Sequence, residues 1–374
     1  MRAIAIIAAL LCGAVVHPIA ASPDRAAMAD SALQAALDGL VAMGDGPPGA
    51  YALVNGNGRV RGFRAGAARS GTRQPIGSAR RMRIASVSKA ITGATALRLV
   101  QRGVLSLDDT VGRRLPSLPA AWHPVTLRQL LNHTGGVPDF SASPAFARAV
   151  AAAPAAPPAP AGLLAFVADR PLEFAPGTRF RYSNSGPVIV ALMVEAATGA
   201  PFPASVRSLV AGPAGMPATV LAAGLRVPPP ALAGYAWDGR DPQDVTSVVA
   251  FGGWAWASGG FLSTPSDLSR FVRRDAGGAL VSGPTRAAQM TFRPGASSPP
   301  GPGANSVGLG IFRYRTRCGT FYGHTGSILG YTQIIMATGD GRRSAVVSAS
   351  TQAGGLVLAG LRRTWERAAC AAAS

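Results

Sequence analysis

Residues 83–93 read RIASVSKAITG and contain Lys89, the only lysine of the 374-residue chain. The chain's other basic side chains of the Lys and Arg type are arginines, which keep their proton in proteins, whereas a buried lysine can lose it. Ser86 precedes Lys89 by three residues, so a helix starting at Ser86 would place both side chains on one face. Its amino end would also favour a developing alkoxide. We interpret Ser86 as an activated nucleophile and Lys89 as its base; a surface lysine that happens to follow a serine is the alternative.

A phenol and an amide lie two residues apart at Tyr182 and Asn184. A tyrosinate or a hydrogen-bonded phenol near Lys89 could carry the proton of Ser86 to a leaving group, and the Asn184 amide could orient Lys89 and a substrate carbonyl. Taken alone, Tyr-Ser-Asn is an ordinary loop sequence. The proposed roles therefore depend on the neighbouring motifs.

A third polar cluster, His324-Thr325-Gly326, stands at the end of a predicted strand. Gly326 would let a substrate backbone approach closely, and the two preceding side chains would donate hydrogen bonds to an anionic group. The alternative is that His324 is a core histidine with satisfied hydrogen bonds, which is the commoner fate of a lone histidine.

The composition suits one large globular domain or two closely packed subdomains, because 48% of the residues are hydrophobic and 14% are charged. The formal net charge of +19 would ordinarily suggest a nucleic-acid partner. The arginines, however, are scattered along the whole chain without a basic block and with few aromatic residues beside them. We therefore expect no nucleic-acid partner and attribute the charge to an arginine-rich composition.

The N-terminus has the pattern of a secretory signal. Arg2 precedes an apolar run at 3–16, and small residues follow at 20–22. This pattern predicts a signal peptide at 1–21 that is too short and wrongly flanked for a membrane span. We expect export through this cleaved signal to the periplasm or the extracellular space, with residues 22–374 as the catalytic domain.

Cysteine and histidine usage predicts a disulfide and no metal site. The mature chain keeps Cys318 and Cys370, which in an oxidising compartment would most simply form one disulfide between a late strand and the last helix. Two free buried thiols are the alternative. The 4 histidines are not in ligand spacing, so we expect no metal and no organic cofactor.

Strand patterns lie at both ends of the chain, and helical patterns lie between them. A Gly-Asn-Gly turn at 56–58 joins two short runs into a predicted β-hairpin, and β-type runs recur between 309 and 349. We therefore expect one sheet built from about 29–85 and 300–370, beside a helical lobe at about 86–299.

One stretch of the lobe, residues 245–266, carries no charge. Its length would permit a membrane span, but its glycines, hydroxyl residues and Pro265 argue against one. We predict instead that this stretch lines a buried cleft, and we expect no stable membrane span in the chain.

The three motifs occur in the order Ser86-x-x-Lys89, Tyr182-x-Asn184 and His324-Thr325-Gly326. This order resembles the serine penicillin-recognising enzymes, in particular class C β-lactamases and the Streptomyces-type D-alanyl-D-alanine carboxypeptidases. Segments similar to family segments flank the motifs at 130–139, 176–186, 258–268 and 323–331, and the resemblance spans about residues 30–370. It implies an α/β (α+β) sandwich: an antiparallel sheet from both chain ends, flanked by helices, with an all-helical lobe.

The resemblance also implies additional site residues. The backbone N–H groups of Ser86 and Ser327 would form an oxyanion hole, Trp254 would line the pocket, and Arg313 is a candidate for binding a substrate carboxylate. Class C β-lactamases and most penicillin-binding proteins carry lysine where this chain has His324. Histidine there resembles the Streptomyces-type carboxypeptidases, as does a cysteine just upstream paired with one in the last helix.

These features together predict an exported serine hydrolase that works through an acyl-enzyme. Ser86 would attack the carbonyl before a C-terminal D-alanine of a small peptide substrate, and β-lactams would act as inhibitors. Three alternatives use the same residues: an esterase, a β-lactamase with fast deacylation, and a non-enzymatic penicillin sensor that stays acylated.

Overall fold

The computed structural model describes residues 23–56, 58–222, 224–296 and 298–374. Within them the strands are, in chain order, β1 (Gly49–Gly56), β2 (Arg59–Gly66), β3 (Met82–Arg83), β4 (Val220–Leu221), β5 (Tyr235–Trp237), β6 (Pro242–Asp244), β7 (Phe261–Ser263), β8 (Arg293–Pro294), β9 (Ala304–Val307), β10 (Phe312–Thr316), β11 (Gly319–Ile328), β12 (Tyr331–Ala337) and β13 (Ser344–Ala349).

An eight-stranded sheet joins the two ends of the chain in the order β2-β1-β13-β12-β11-β10-β9-β8. Neighbouring strands in it are antiparallel. The N-terminal hairpin pairs with the C-terminal strands through β1 and β13, where Ala50 lies opposite Ala349 and Asn55 opposite Ser344. The sheet therefore takes strands from both ends of the chain, as predicted.

The helices are α1 (Pro23–Val41), α2 (Ser88–Gln101), α3 (Val111–Arg114), α4 (Leu127–Leu131), α5 (Pro144–Ala152), α6 (Pro160–Ala165), α7 (Ser185–Thr198), α8 (Phe202–Val206), α9 (Gly212–Ala214), α10 (Phe251–Trp254), α11 (Trp256–Gly259), α12 (Pro265–Ala276), α13 (Gly283–Gln289) and α14 (Gly355–Ala373). Turns of 3₁₀ helix occupy Ala85–Val87, Ala120–Trp122 and Phe140–Ala142. A π-helical segment, Arg207–Ala211, connects α8 to α9.

Apolar side chains alternate along the central strands, so both faces of the sheet are covered. In β12, Ile334 and Met336 belong to a cluster with Leu33 of α1 and Trp365 of α14. The side chain between them, Ile335, belongs to a second cluster on the opposite face, which continues into the lobe. This two-residue alternation is the pattern of a strand buried on both sides.

Most of the regular secondary structure in the range predicted for the lobe is helical, but the range also contains short strands. β4 and β3 pair with β7 in a small three-stranded sheet, β5 pairs with β6, and β8 joins the main sheet. Helix α12 packs on β12 and β13 of the main sheet. Strands of two or three residues are too short to give a periodic signal in the sequence.

The predicted signal peptide, residues 1–21, lies outside the described residues. Among the residues that are described, no single helix is both long and apolar enough to cross a bilayer. Helix α7 passes the test only together with the helical segment Phe202–Ala214, from which it is bent by 84°.

Candidate active site

A cleft of about 490 Å³ opens between the lobe and strand β11. Ser86, Tyr182 and Asn184 line the cleft, and Thr325 and Ser327 line it from β11. A cavity of this size is typical of sites that bind small molecules. The structure thus brings together polar residues from all three sequence motifs.

Ser86 lies in the middle of the 3₁₀ turn Ala85–Val87, and α2 begins two residues later at Ser88. The helix therefore does not begin at Ser86 as predicted, because one 3₁₀ turn precedes it. Ala85 has a φ of +49°, a left-handed conformation that costs a residue other than glycine ~1–3 kcal/mol. Hydrogen bonds hold the turn in place, since Ile84 N–H donates to the Phe261 carbonyl at 3.0 Å.

Lys89 is buried behind Ser86 and makes three hydrogen bonds. Its Nζ lies 3.1 Å from Ser86 Oγ, 2.6 Å from Asn184 Oδ1 and 2.7 Å from the carbonyl oxygen of Ser258. Burial lowers the pKa of Lys89 to about 7, although the charge of Asp139 acts in the opposite direction. A side chain with this pKa is partly neutral near neutral pH, as a general base for Ser86 must be.

Tyr182 faces Lys89 with its ring. The Lys89 Nζ lies 4.9 Å from the centre of that ring, and the Tyr182 hydroxyl makes no hydrogen bond of standard geometry to any described residue. Burial raises the pKa of Tyr182 well above its usual value, while the Ser86 hydroxyl acts to lower it. Tyr182 therefore keeps its proton at neutral pH, and a phenol rather than a tyrosinate lines the cleft.

Asn184 connects Lys89 to a carboxylate that the sequence analysis missed. While its Oδ1 accepts from Lys89, its Nδ2 donates to Asp139 Oδ2 at 3.1 Å and to Ser141 Oγ at 2.7 Å. Asp139 Oδ1 accepts in turn from the N–H and the hydroxyl of Ser141. Asp139 thus fixes which end of the Asn184 amide faces Lys89. The signal for it was an acidic residue directly after the Gly-Gly-Val-Pro loop.

His133 is a second residue that the sequence analysis did not single out. Its ring centroid lies 4.5 Å from that of Tyr182, and its Nδ1 accepts from the Ser183 N–H at 3.4 Å. Burial lowers the pKa of His133 well below its usual value, and Lys89 and His324 act in the same direction. A neutral His133 therefore supports the Tyr182 ring without adding charge beside Lys89.

The structure corrects the role expected for His324. Its side chain is 1% exposed, and the residue is not among those lining the cleft. Its Nδ1 donates to the Thr325 carbonyl, and burial, followed by the charge of Lys89, lowers its pKa to about 3. Side chains alternate along a strand, so His324 and Thr325 lie on opposite faces of β11, and only Thr325 is on the face that lines the cleft. As a neutral core residue it cannot attract an anion by charge.

Gly326 also differs from its predicted role. A Cβ at this position would lie 2.4 Å from the Ile84 carbonyl oxygen and 3.1 Å from the Val87 nitrogen. The backbone that approaches Gly326 is therefore the chain's own 3₁₀ turn at Ala85–Val87, called the nucleophile turn below, and not a substrate. The glycine lets β11 and the Ser86 turn lie side by side.

Strand β11 presents an open edge at the cleft. Pairing with β10 begins at Gly323, opposite Phe312, and runs away from the cleft, whereas β12 pairs with β11 as far as Ile328. Thr325 and Ser327 lie in the part of β11 that β10 does not reach. On that side β11 has no partner strand there among the described residues, so an extended substrate could pair with this edge.

The positions that the resemblance implied for Trp254 and Arg313 differ in how they compare with the structure. Trp254 lines the cleft, as the resemblance implied, and its Nε1 donates to the Ala153 carbonyl at 3.3 Å. Arg313 does not line the cleft. Its Nη2 donates to Ser306 Oγ at 3.2 Å, and its guanidinium carbon lies 4.8 Å from the centre of the Phe292 ring. Arg313 is kept from the cleft because it lies in β10, and β10 does not extend along the open edge of β11.

Cys318 and Cys370 are joined in the structure, with their Cα atoms 5.0 Å apart. The pair connects the turn between β10 and β11 to α14. In the part of the chain that the structure describes, no group of three or more His, Cys, Asp or Glu is arranged to hold a metal ion.

Known proteins resemble this chain in sequence and in fold. The chain is similar to esterase EstB of Burkholderia gladioli, 36% identical over 187 residues, which are 45% of this chain and 45% of the esterase. It is also similar to the D-alanyl-D-alanine-carboxypeptidase/endopeptidase AmpH of Escherichia coli (strain K12), 29% identical over 244 residues, 62% of this chain and 58% of AmpH. The chain spans about half the length of the curated relatives it matches.

A solved structure and a family model extend the likeness to most of the chain. The D-stereospecific amidohydrolase from Streptomyces sp. has a TM-score of 0.75 at 27% identity, covering 86% of this chain and 94% of that one. The model of the Beta-lactamase family matches residues 33–369. With the motifs gathered at one cleft in this fold, the chain belongs to the beta-lactamase family of serine hydrolases, which has the β-lactamase/transpeptidase-like fold.

Proposed function

We propose that this protein is a serine hydrolase that forms an acyl-enzyme on Ser86. The observation that carries the proposal is the 3.1 Å contact between Lys89 Nζ and Ser86 Oγ. It gains weight from the burial that lowers the pKa of Lys89 to about 7. A hydroxyl beside a base that is neutral at the working pH is the arrangement that nucleophilic catalysis needs.

The proposed reaction has two halves. Neutral Lys89 takes the Ser86 proton while Oγ attacks the substrate carbonyl, and the Ser86 and Ser327 N–H groups stabilise the oxyanion. The bond to the leaving group breaks as the leaving group takes that proton from Lys89 through Tyr182. Water then attacks the ester on Ser86 and gives up a proton to Lys89. The bond between the acyl carbon and Oγ breaks, Oγ takes the proton back from Lys89, and the acid leaves.

Esters and amides are the substrate class that the geometry supports best. Recognition of a C-terminal D-alanine was expected to use His324, Thr325 and Ser327, with Arg313 as a further candidate. Thr325 and Ser327 line the cleft, but His324 and Arg313 do not. D-alanyl-D-alanine carboxypeptidase activity is the second candidate. It is favoured by the position of Thr325 and Ser327 in the lining of the cleft and by the likeness to AmpH.

Hydrolysis assays with a matched pair of serine variants test the proposal. The substrates are a 4-nitrophenyl ester, a D-amino acid amide and a D-Ala-D-Ala peptide, with penicillin as a covalent probe. Ser86→Ala should reduce kcat by at least about 10³-fold. Ser88→Ala, which removes only the acceptor for the Phe261 N–H, should keep most of the activity. Turnover by Ser86→Ala close to that of the wild type would contradict the proposal.

We also propose export of the protein through the signal pattern at 1–21. It is supported by the charged residue, the apolar run and the small residues near position 21. N-terminal sequencing of the protein recovered from outside the cytoplasm should start near residue 22. A mature protein that still begins at Met1 would contradict it.

A further inference from the structure

The cleft that holds Ser86 has two apolar walls. One, the lobe wall, consists of Phe140, Phe146, Phe251 and Trp254. The other, the sheet wall, consists of Pro299, Pro300, Ala353, Leu358 and Trp365. Ser86, Asn184, Ser327 and the other polar residues of the site also line the same cleft. A substrate bound at Ser86 therefore meets hydrocarbon in more than one direction.

The lobe wall is built from aromatic rings in direct contact. The Phe146 ring meets the Phe140 ring at a centroid distance of 5.1 Å and the Trp254 ring at 5.7 Å, both edge to face. The indole N–H of Trp254, which is its one hydrogen-bond donor, donates to the Ala153 carbonyl. Rings fixed in this way offer apolar surface and no free hydrogen-bond donor.

No ionised side chain lies on either wall. The chain has 36 Lys plus Arg and 17 Asp plus Glu residues, yet none of them, and no histidine, is among the described residues that line the cleft. Two charged groups lie behind the lining and are bonded to neutral partners: Lys89 to Asn184 and to the Ser258 carbonyl, and Asp139 to Asn184 and Ser141. A carboxylate entering this cleft would lose water without meeting a cation among the lining residues.

The net charge of +19 opposes discrimination against carboxylate substrates, since it attracts anions to the molecule as a whole. Salt weakens that attraction beyond a Debye length of about 8 Å. Discrimination inside the cleft therefore depends on the residues that touch the substrate.

We infer that the substrate is an ester or amide that is uncharged on both sides of the scissile bond and carries an aromatic or alkyl group. This inference rests on the proposed function and narrows it. It places a free C-terminal carboxylate, as in a D-alanyl-D-alanine peptide, among the poor substrates.

Two pairs of isosteric esters test the inference, each with one neutral and one carboxylate member. The acyl-side pair is 4-nitrophenyl adipamate and the 4-nitrophenyl half-ester of adipic acid. The leaving-group pair is 3-carbamoylphenyl butyrate and 3-carboxyphenyl butyrate. In both pairs kcat/KM of the wild type, corrected with Ser86→Ala, should be about 10- to 100-fold higher for the neutral member.

Gln352 provides a matched pair of charge variants, because it is exposed and lines the cleft. Gln352→Arg should raise the relative rate of a carboxylate member by about 2- to 5-fold, the effect of an exposed ion pair, and Gln352→Glu should lower it. If the ratio of the carboxylate rate to the neutral rate were the same in Gln352→Arg and Gln352→Glu, the inference would be overturned.

The outcomes separate the inference from the function on which it rests. A wild-type enzyme that hydrolyses the carboxylate member as fast as its neutral partner, or faster, would overturn the inference alone. If no ester of either pair were hydrolysed by the wild type faster than by Ser86→Ala, the proposed function and the inference would fail together.

Discussion

The pKa of Lys89 is set by burial and by neutral partners. Its three hydrogen-bond acceptors are the Ser86 hydroxyl, the Asn184 amide and the Ser258 carbonyl, and none of them carries a negative charge to hold the proton. The pKa of about 7 follows from that environment. The sequence predicted the contact between Lys89 and Ser86 correctly, because residues three apart lie on the same side of a 3₁₀ turn as well as of an α-helical turn. Asp139 was missed, because it acts through a hydrogen bond to Asn184, which lies 45 positions away.

The pH dependence of acylation follows from this pKa. The base works only when it is deprotonated, so protonation below pH 7 removes it. The acylation rate should rise about tenfold per pH unit below pH 7 and level off above it. Stopped-flow rates with a 4-nitrophenyl ester between pH 5 and 9 measure the rising part of this profile, the pH limb. A rate that stays constant over that range would rule out Lys89 as the titrating base.

Replacement of Lys89 by arginine should abolish that pH limb. Arginine keeps the charge, but its guanidinium has a pKa above ~12 and cannot be neutral near pH 7. We expect the acylation rate to fall by roughly 10²- to 10⁴-fold, the usual contribution of a positioned general base. Lys89→Met, of similar length and without charge, controls for volume, and circular dichroism checks the fold. An arginine variant within a few-fold of the wild type would mean that Lys89 acts by charge alone.

Removal of the Asp139 charge should shift the same limb. The carboxylate acts to raise the pKa of Lys89, so Asp139→Asn should lower that pKa and move the limb to lower pH. Asp108→Asn removes an equal charge at an exposed carboxylate that pairs with Arg128, and should leave the limb in place. Equal profiles for the two variants, or a shift to higher pH, would contradict the contact described here.

At the scale of the element, the site depends on how strand β11 meets the nucleophile turn. The β-type runs predicted between 309 and 349 contain β12 and β13, because the β-branched and apolar residues of these strands are continuous and bounded by turns. It could not give the face on which each β11 side chain lies. A shift of one residue in a strand exchanges the two faces, and for that reason the interior position of His324 was not foreseen.

Gly326→Ala tests the contact between the two elements. A methyl group there would lie 2.4 Å from the Ile84 carbonyl oxygen and must push the Ser86 turn away from β11. We expect a loss of about 1–3 kcal/mol in the free energy of unfolding and a larger proportional loss in acylation rate. Urea unfolding and ester hydrolysis measure the two effects.

Gly39→Ala is the matched control for that variant. Gly39 lies in α1, where an added Cβ would have no atom within 4 Å. This change should raise stability by about 0.5–1 kcal/mol and leave activity unaltered. If Gly326→Ala behaved like Gly39→Ala, β11 would not determine the position of the nucleophile.

At the scale of the whole molecule, the fold brings distant parts of the chain to one cleft. The sheet pairs β1 with β13, and α1 packs against α14. Predicted strands at both ends of the sequence were enough to anticipate this closure, since β-strands at the two ends must find partners. The apolar character of the sheet wall was not foreseen, because it combines the loop at 299–300 with residues of α14.

Cys318 and Cys370 are predicted to be oxidised in the exported protein. Their separation of 52 residues implies a stabilisation of ~4 kcal/mol on the chain-entropy model. Peptide mapping without reductant should recover the two cysteines in one linked peptide, and urea unfolding should show lower stability for Cys318→Ser with Cys370→Ser. Two free thiols in the exported protein would remove this prediction and leave the fold unchanged.

The most direct test of the central claim is intact-mass spectrometry of the protein mixed with a neutral 4-nitrophenyl ester and quenched in acid at short times. We predict a transient mass increase equal to one acyl group, located by peptide mapping on Ser86 and missing in Ser86→Ala. Release of nitrophenol by the wild type with no adduct at any time, or an adduct that persists in Ser86→Ala, would contradict the assignment of Ser86 as the nucleophile.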